Sequence, residues 1–361
     1  MYRDESAAEL AARIGTDDEP FLLDVRSPEE FEEWRIPGAV NIPVTELAAR
    51  AGEVPRDREV VTLCASGNRS SAAADFLSHN GWKVANLRGG MAAWGTVYDW
   101  VTLDFDEARV VQVRRRGKGC LSYVVGSGRE AAVIDPTLDL AVYREIAAEH
   151  DWTIAHVFDT HLHADHLSGA RALAESSGAV LHLNPADAFH FEFTPLRDGD
   201  AIALEGGATL TVAALHTPGH TLGSTIYFIG DRAVLTGDTL FVESVGRPDL
   251  AERAEEFARN LHRSLEEKVL VLPDDALVLP GHYGDAVPVR PDEPVSARLG
   301  DLRRTLEPLQ LDEEEFVHWA TSRTTPRPPS YVEIVKANMG QAETPVAVLQ
   351  QMELGPNRCS A

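Results

Sequence analysis

The sequence predicts two α/β units in tandem. Three observations carry that expectation. The chain has 361 residues, too many for one typical domain. Short apolar runs alternate with helix-like stretches up to about residue 97, which is the pattern of a small parallel sheet. An acidic stretch without clear period then follows at 98–108, and beyond it short apolar runs joined by Gly turns precede longer helical patterns. The units are therefore placed at 1–100 and 108–361.

In the first unit, Phe21-Leu22-Leu23-Asp24-Val25 reads as a buried strand. Ser27-Pro28-Glu29-Glu30 is a capping box with Pro at the first helical position. That short helix ends before Ile36-Pro37-Gly38-Ala39, and a second is expected from Val44 to Ala51. Glu59 to Leu63 is the next strand and runs into Cys64-Ala65-Ser66-Gly67-Asn68-Arg69-Ser70. A helix follows from Ser71 to His79, stopped near Gly81. Lys83 to Leu87 is a last strand and Met91 to Trp94 a short helix.

In the second unit, Arg109–Val113, Leu121–Val125 and Ala131–Ile134 read as strands turned at Gly117-Lys118-Gly119 and Gly126-Ser127-Gly128. Asp139 to His150 reads as a helix, Thr153 to Phe158 as a buried strand, and Leu167 to Ser177 as a helix. Later strands are expected at Ala179–Leu183, Thr209–Ala213, Ser224–Phe228, Ala233–Leu235 and Ala276–Leu279. Helices are expected at Leu250–Glu267, Val295–Leu306, Glu313–Ala320 and Tyr331–Met339, with Pro308 stopping the second of these.

Composition narrows the function. The formal net charge of -24 excludes a nucleic-acid partner, because a phosphate backbone repels such a surface. No run of about 18 apolar residues suggests a membrane span. The first residues, Met1-Tyr2-Arg3-Asp4-Glu5-Ser6, lack a secretory pattern, so a cytoplasmic location is expected. The three cysteines, Cys64, Cys120 and Cys359, make no disulfide framework and fit a reducing compartment. Cys120 and Cys359 are read as structural or incidental, Cys120 because it opens a strand.

Two stretches carry chemistry. Thr160-His161-Leu162-His163-Ala164-Asp165-His166 holds four potential metal ligands just after an apolar strand. His220, Asp238 and His282 answer it downstream, each closing an apolar run or sitting in a Gly/Pro turn. Ligands on loops fixed at strand ends are where metal chemistry is usually held. The second stretch is Cys64, between a strand and a helix. Inward-pointing loop N–H groups and the helix N-terminus lower a thiol pKa and stabilise a thiolate or persulfide. Arg69 adds a fixed cation, and Gly67 and Asn68 complete the binding loop. Cys64 and Arg69 are separated by four residues; cysteine phosphatases use a longer loop to hold phosphate, so the shorter one suits sulfur.

These residues carry a resemblance. Asp24-Val25-Arg26-Ser27-Pro28-Glu29-Glu30-Phe31, Ile36-Pro37-Gly38-Ala39-Val40-Asn41-Ile42-Pro43 and Gly89-Gly90-Met91-Ala92-Ala93-Trp94 resemble the rhodanese family. The resemblance implies that Cys64 carries sulfane sulfur taken from thiosulfate or another donor. Ala65 and Arg35 depart from that family's usual Arg and His. The later two thirds resembles the metallo-β-lactamase superfamily, near its glyoxalase II and persulfide dioxygenase branch. The αβ/βα sandwich is the fold this implies, and a homodimer through the second domain is compatible with it. By the same resemblance, His161, His163 and His220 match one metal position; Asp165, His166 and His282 match a second; Asp238 bridges them.

Two metal readings follow. All seven ligands together permit a binuclear hydrolase, with metals about 3.5–4 Å apart activating a bridging hydroxide. The persulfide dioxygenase branch implies instead one Fe(II) on His161, His220 and Asp238, with Zn2+ as an alternative or substitute, and the other four residues orienting the ligands. Gly246-Arg247-Pro248-Asp249-Leu250 resembles the dioxygenase branch; by that analogy Arg247 pairs with an anionic substrate group, and a salt bridge with Asp249 or another neighbour is the alternative. Asp135 is expected near the metals by the same analogy. The expected reaction is oxidation of a low-molecular-weight thiol persulfide, of glutathione or another thiol, by O2 to sulfite. A binuclear thioester hydrolase of the glyoxalase II type is the alternative, and a non-catalytic sulfur carrier or thiol sensor is a third reading.

Overall fold

The computed structural model describes residues 2–106, 108–205, 209–210, 215–249, 253–323, 327, 330–341, 344–357 and 359. The architecture is mixed α/β, with a rhodanese-like unit followed by a metallo-β-lactamase-type αβ/βα sandwich. The first sheet is wholly parallel and ordered Arg3–Glu5, Val84–Leu87, Val60–Leu63, Phe21–Asp24, Val40–Asn41. Its central strands are apolar and buried, as parallel strands covered on both faces must be. The capping box at Ser27 forms as read: the Ser27 hydroxyl accepts the Glu30 N–H, and Pro28 opens helix Pro28–Glu33. The outermost strand, Arg3–Glu5, and the helix Ala7–Arg13 carried no pattern in the sequence. That strand is all charged, and ion pairs hold it: Arg13 lies 2.8 Å from the buried Glu5 and 2.9 Å from Glu59.

Two facing sheets build the sandwich. The larger is ordered Thr194–Pro195, Val180–Leu183, Thr153–Phe158, Glu130–Ile134, Cys120–Ser127, Arg109–Arg115, Tyr98–Asp104. The smaller is ordered Leu215–His216, Thr225–Ile229, Ala233–Gly237, Leu277–Pro280, Ala297–Arg298. Val110, Tyr123, Ile134 and Phe158 from one sheet pack against Tyr227, Leu235 and Leu279 from the other. Helices Leu140–Glu149 and Ala170–Ser177 cover one outer face. Helices Ala254–Ser264, Leu299–Thr305 and Glu313–Ser322 cover the other.

The structure corrects the sequence reading in several places. Residues 98–104, read as periodless, are a strand paired along its whole length with Arg109–Arg115. It is an edge strand with partners on one side only, so burial leaves no clean alternation. The strand expected at Thr209–Ala213 is described only at Thr209–Leu210; its remainder lies outside the described residues, as does the start of the helix expected from Leu250. The helix expected from Val295 begins at Leu299, because Ala297–Arg298 pairs with the strand Leu277–Pro280.

The turn at 115–119 joins the units. The Trp34 indole N–H donates to the Gly117 carbonyl at 2.8 Å, and Arg115 Nε donates to the Gly95 carbonyl at 2.9 Å. A Cβ on Gly117 would lie 2.4 Å from the Trp94 carbonyl oxygen, so only glycine admits this approach.

Candidate metal centre

The thiol loop starts where strand Val60–Leu63 ends. Cys64 is buried, and its sulfur accepts the N–H of Gly67 at 3.1 Å and the N–H and hydroxyl of Ser70 at 3.4 Å each. Burial opposes ionisation, but the Ser70 hydroxyl and the N–H groups of Ser70, Ser66 and Gly67 outweigh it and hold the thiol below its ordinary pKa. Gly67 permits this because its φ of 101° lies in the left-handed region. Asn68 is exposed at the start of helix Asn68–His79. Arg69 forks onto Glu30 at 2.6 and 2.7 Å, which brings the Glu30 carboxyl down to about 2. Its charge still acts on the Cys64 thiol. Ser70, which the sequence reading did not single out, is the sulfur's side-chain donor, and it shares its hydroxyl proton with Asn86 Oδ1 at 2.7 Å.

The metal loop follows strand Thr153–Phe158, Asp238 follows Ala233–Gly237, and His282 follows Leu277–Pro280. All seven expected ligands are buried. They fall into separate groups. His161, His220 and Asp238 bring donor atoms within 4.8 Å of one another. Asp238 Oδ2 lies 3.6 Å from His161 Nε2 and 3.4 Å from His220 Nε2. None of these three atoms has a hydrogen-bond partner, although all are buried. Unpartnered buried polar atoms are costly, and a cation would satisfy all three together. This donor set fits a divalent ion with open positions.

Neighbouring groups fix the histidines. His220 Nδ1–H donates to the Arg247 carbonyl at 3.0 Å, leaving Nε2 as the free lone pair. The Thr160 hydroxyl donates to Asp135 at 2.9 Å and so accepts His161 Nδ1–H at 2.8 Å, with the same result. Asp135 also accepts the Thr160 N–H at 2.6 Å and sits at φ 55°, a conformation that costs backbone energy. Burial keeps both imidazoles below their ordinary pKa. Burial opposes ionisation of Asp238, but His282 and His161 outweigh it and hold its carboxyl low. Two neutral imidazoles and one carboxylate are the protonation state that metal binding needs.

The remaining ligands are occupied differently. His163 Nε2 lies 3.2 Å from Asp135 and 3.7 Å from Asp159. His282 Nδ1–H donates to Asp238 Oδ1 at 2.6 Å, while its Nε2 is 3.0 Å from Asp165 Oδ2. His166 Nδ1 is 3.0 Å from Asp165 Oδ1. Burial opposes charging of His166, yet Asp165 and Cys120 keep its pKa at about 9.

Three further residues stand close to these ligands. Cys120 opens strand Cys120–Ser127, as read, and its sulfur lies 3.6 Å from Asp165 and 3.8 Å from His166. Cys359 groups with Asp238 and His282. No local sequence signal marks either cysteine, because Cys120 meets His282 through an isolated backbone bridge across 162 positions of chain. For Arg247 the structure shows the neighbouring partner of the two readings: it is buried and forks onto Asp249 at 2.6 and 2.8 Å, and its backbone N–H donates to the Cys359 carbonyl.

The fold and these two centres define an αβ/βα sandwich with a candidate metal centre, joined to a rhodanese-like module. The chain belongs to the metallo-beta-lactamase superfamily, and it carries a rhodanese-like domain ahead of that fold. The rhodanese-like domain family matches residues 6–96 and the metallo-beta-lactamase superfamily residues 115–282. The mitochondrial persulfide dioxygenase ETHE1 of Homo sapiens is 33% identical over 239 residues, spanning 63% of this chain and 86% of that protein. A sulfurtransferase of Allochromatium vinosum is 37% identical over 95 residues, spanning 26% of this chain and 89% of that protein. The crystal structure of ETHE1 from Myxococcus xanthus superposes with a TM-score of 0.55 at 30% identity, covering 67% of this chain and 98% of that one. No helix among the described residues is long and apolar enough to cross a membrane.

Proposed function

We propose that the chain is a sulfur-metabolism enzyme with two linked activities, one in each of the units 1–100 and 108–361. In the second unit a low-molecular-weight thiol persulfide is oxidised by O2: RSSH + O2 + H2O gives RSH, sulfite and two protons. In the first, Cys64 accepts sulfane sulfur and passes it to a thiol: Cys64–S–SH + RSH gives Cys64–SH + RSSH. The observation that carries this reading is the convergence of three buried, unpartnered donor atoms on His161, His220 and Asp238. It stands beside the kinship with persulfide dioxygenases and sulfurtransferases.

A single Fe(II) held there would supply the redox chemistry that joins persulfide sulfur to O2, which zinc cannot. The chain's own groups do the rest. Thr160, Asp135 and the Arg247 carbonyl hold the two imidazoles with Nε2 free. His282 holds Asp238 through Oδ1 and leaves Oδ2 for the metal position. In the first unit, Gly67 and Ser70 donors stabilise a thiolate or terminal persulfide on Cys64. The shared persulfide gives a reason for one chain to carry both units, since tethering raises effective concentration.

The test is O2 consumption by anaerobically purified, iron-loaded protein given glutathione persulfide. Rapid uptake with sulfite formed is expected. His220→Ala should abolish uptake and spare thiosulfate-to-thiol transfer, and Cys64→Ser should do the reverse. Iron-loaded protein that is silent with every thiol persulfide but hydrolyses S-lactoylglutathione would overturn the reading.

A further inference from the structure

Two separate loops carry the imidazoles of the primary metal position, and one buried carboxylate ties them together. We propose that Asp187 is a positioning residue: it sets the spacing of His161 and His220, and through them the affinity and geometry of the metal they would hold. This role rests on His161, His220 and Asp238 being the primary metal position.

The carboxylate belongs to neither loop. Asp187 closes the turn after strand Val180–Leu183, where its N–H donates to the Asn184 carbonyl at 3.3 Å. The Asn184 side chain accepts the Ala186 N–H at 3.0 Å and donates to the Thr225 hydroxyl at 3.0 Å, which fixes that turn. Asp187 itself is 7% exposed. Its Oδ2 accepts the Leu162 N–H at 2.8 Å and the Thr221 hydroxyl at 3.0 Å. Its Oδ1 accepts the Gly223 N–H at 2.8 Å. Leu162 and Thr221 are the residues directly after His161 and His220. One oxygen atom is therefore a shared reference point for both imidazole-bearing segments. Hydrogen bonds to an ionised carboxylate are roughly twice as strong as neutral ones, so this is a firm anchor.

Two further observations support the role. A Cβ on Gly223 would lie 2.5 Å from Asp187 Cγ, so the His220 segment reaches the carboxylate only because residue 223 is glycine. The Thr225 N–H also donates to the Thr160 carbonyl at 2.8 Å. Asp187 bridges the same two segments two residues further along each, at Leu162 and Gly223. Leu162 and Gly223 lie outside any strand or helix, so no backbone ladder would replace these bonds. With both segments held, the His161 and His220 rings stand 4.9 Å apart at 85°. Thr160 and the Arg247 carbonyl decide which ring nitrogen is free, and Asp187 decides where the two rings stand. Holding ligands in place before the metal arrives is what a group of this kind contributes.

The experiment compares the full chain with its Asp187→Ala, Asp187→Asn and Thr221→Val variants. Fe(II) affinity is measured anaerobically by competition with a chelator, and site geometry by the visible absorption of one equivalent of Co(II). Asp187→Ala should lower Fe(II) affinity about 10–100-fold, the usual consequence of losing a group that orients metal ligands, and should shift the cobalt bands. Asp187→Asn keeps one carbonyl oxygen and Thr221→Val removes one donor, so each should lose less. These two milder variants decide the matter if Asp187→Ala does not fold. Asp312→Ala, which removes the cap of helix Glu313–Ser322 on the outer face, is the stability control. It should lower the urea midpoint and leave affinity and bands as in the native chain. An Asp187 series that behaves like this control, with affinity and bands unmoved, overturns the assignment. If the native chain holds neither Fe(II) nor Co(II), the primary-position reading fails, and a crystal structure of Asp187→Asn decides the positioning alone. Rings displaced from 4.9 Å and 85° would support it, and unmoved rings would overturn it.

Discussion

A single hydroxyl does much of the work at each centre. Ser70 donates to Cys64 through both its N–H and its side chain. Ser70→Ala should therefore raise the thiol pKa and move the midpoint of iodoacetamide alkylation at Cys64 to higher pH; an unmoved midpoint would assign the depression to the backbone alone. Thr160 plays the matching part for His161, between its Nδ1 and Asp135. Thr160→Val should weaken iron binding about 10–100-fold, the usual consequence of removing a group that orients a metal ligand; competition with a chelator measures it. His161, His220 and Asp238 were legible in the sequence because each follows an apolar run or sits in a Gly/Pro turn. Thr160 and Ser70 were not, because an orienting hydroxyl is recognisable only from what it touches.

At the scale of elements, charge pairs tie segments that the sequence separates. Glu30 was read as half of a capping box, and it does accept the Ser27 N–H at 3.1 Å. It also docks helix Pro28–Glu33 onto helix Asn68–His79 through Arg69. Its folded pKa of about 2 lies below the ordinary 4.5. A depressed carboxyl contributes stability that is full above the unfolded pKa and is lost as pH falls through the folded one. The stability difference between the native chain and Glu30→Gln should thus be constant above about pH 5 and shrink toward pH 2; both groups are partly exposed, so it should be small. The C-terminal tail is tied more deeply. Glu353 pairs with buried Arg115 at 2.8 Å and accepts the Leu167 N–H at 2.7 Å, next to the metal loop. Glu353→Ala should cost about 3–5 kcal/mol, because it strands a buried charge; urea denaturation measures it. Nothing in the sequence singled out Glu353, because its partners lie more than 180 residues away.

For the whole molecule, the turn at 115–119 couples the units. It touches Trp34, Trp94 and Gly95 on one side, and on the other it leads into Cys120, paired with His282. Gly117→Val should force the units apart, since any Cβ meets the Trp94 carbonyl. Calorimetry should then show two separated unfolding transitions in place of one. A single unchanged transition would mean that the contact contributes little to cooperativity.

The αβ/βα sandwich was implied by a family resemblance; the residues themselves indicated the two α/β units, the thiol loop and the seven candidate metal ligands. Those features are local: a strand end, a capping box, a loop of fixed length, each written in a few adjacent residues. It took the tertiary structure to bring Cys120 and Cys359 beside the candidate metal ligands. It also selected Asp249 as the partner of Arg247 from the two the sequence allowed, and made an all-charged segment a strand. Each of these depends on atoms brought together from distant positions by burial and backbone pairing, and no periodicity or spacing in the chain records that meeting.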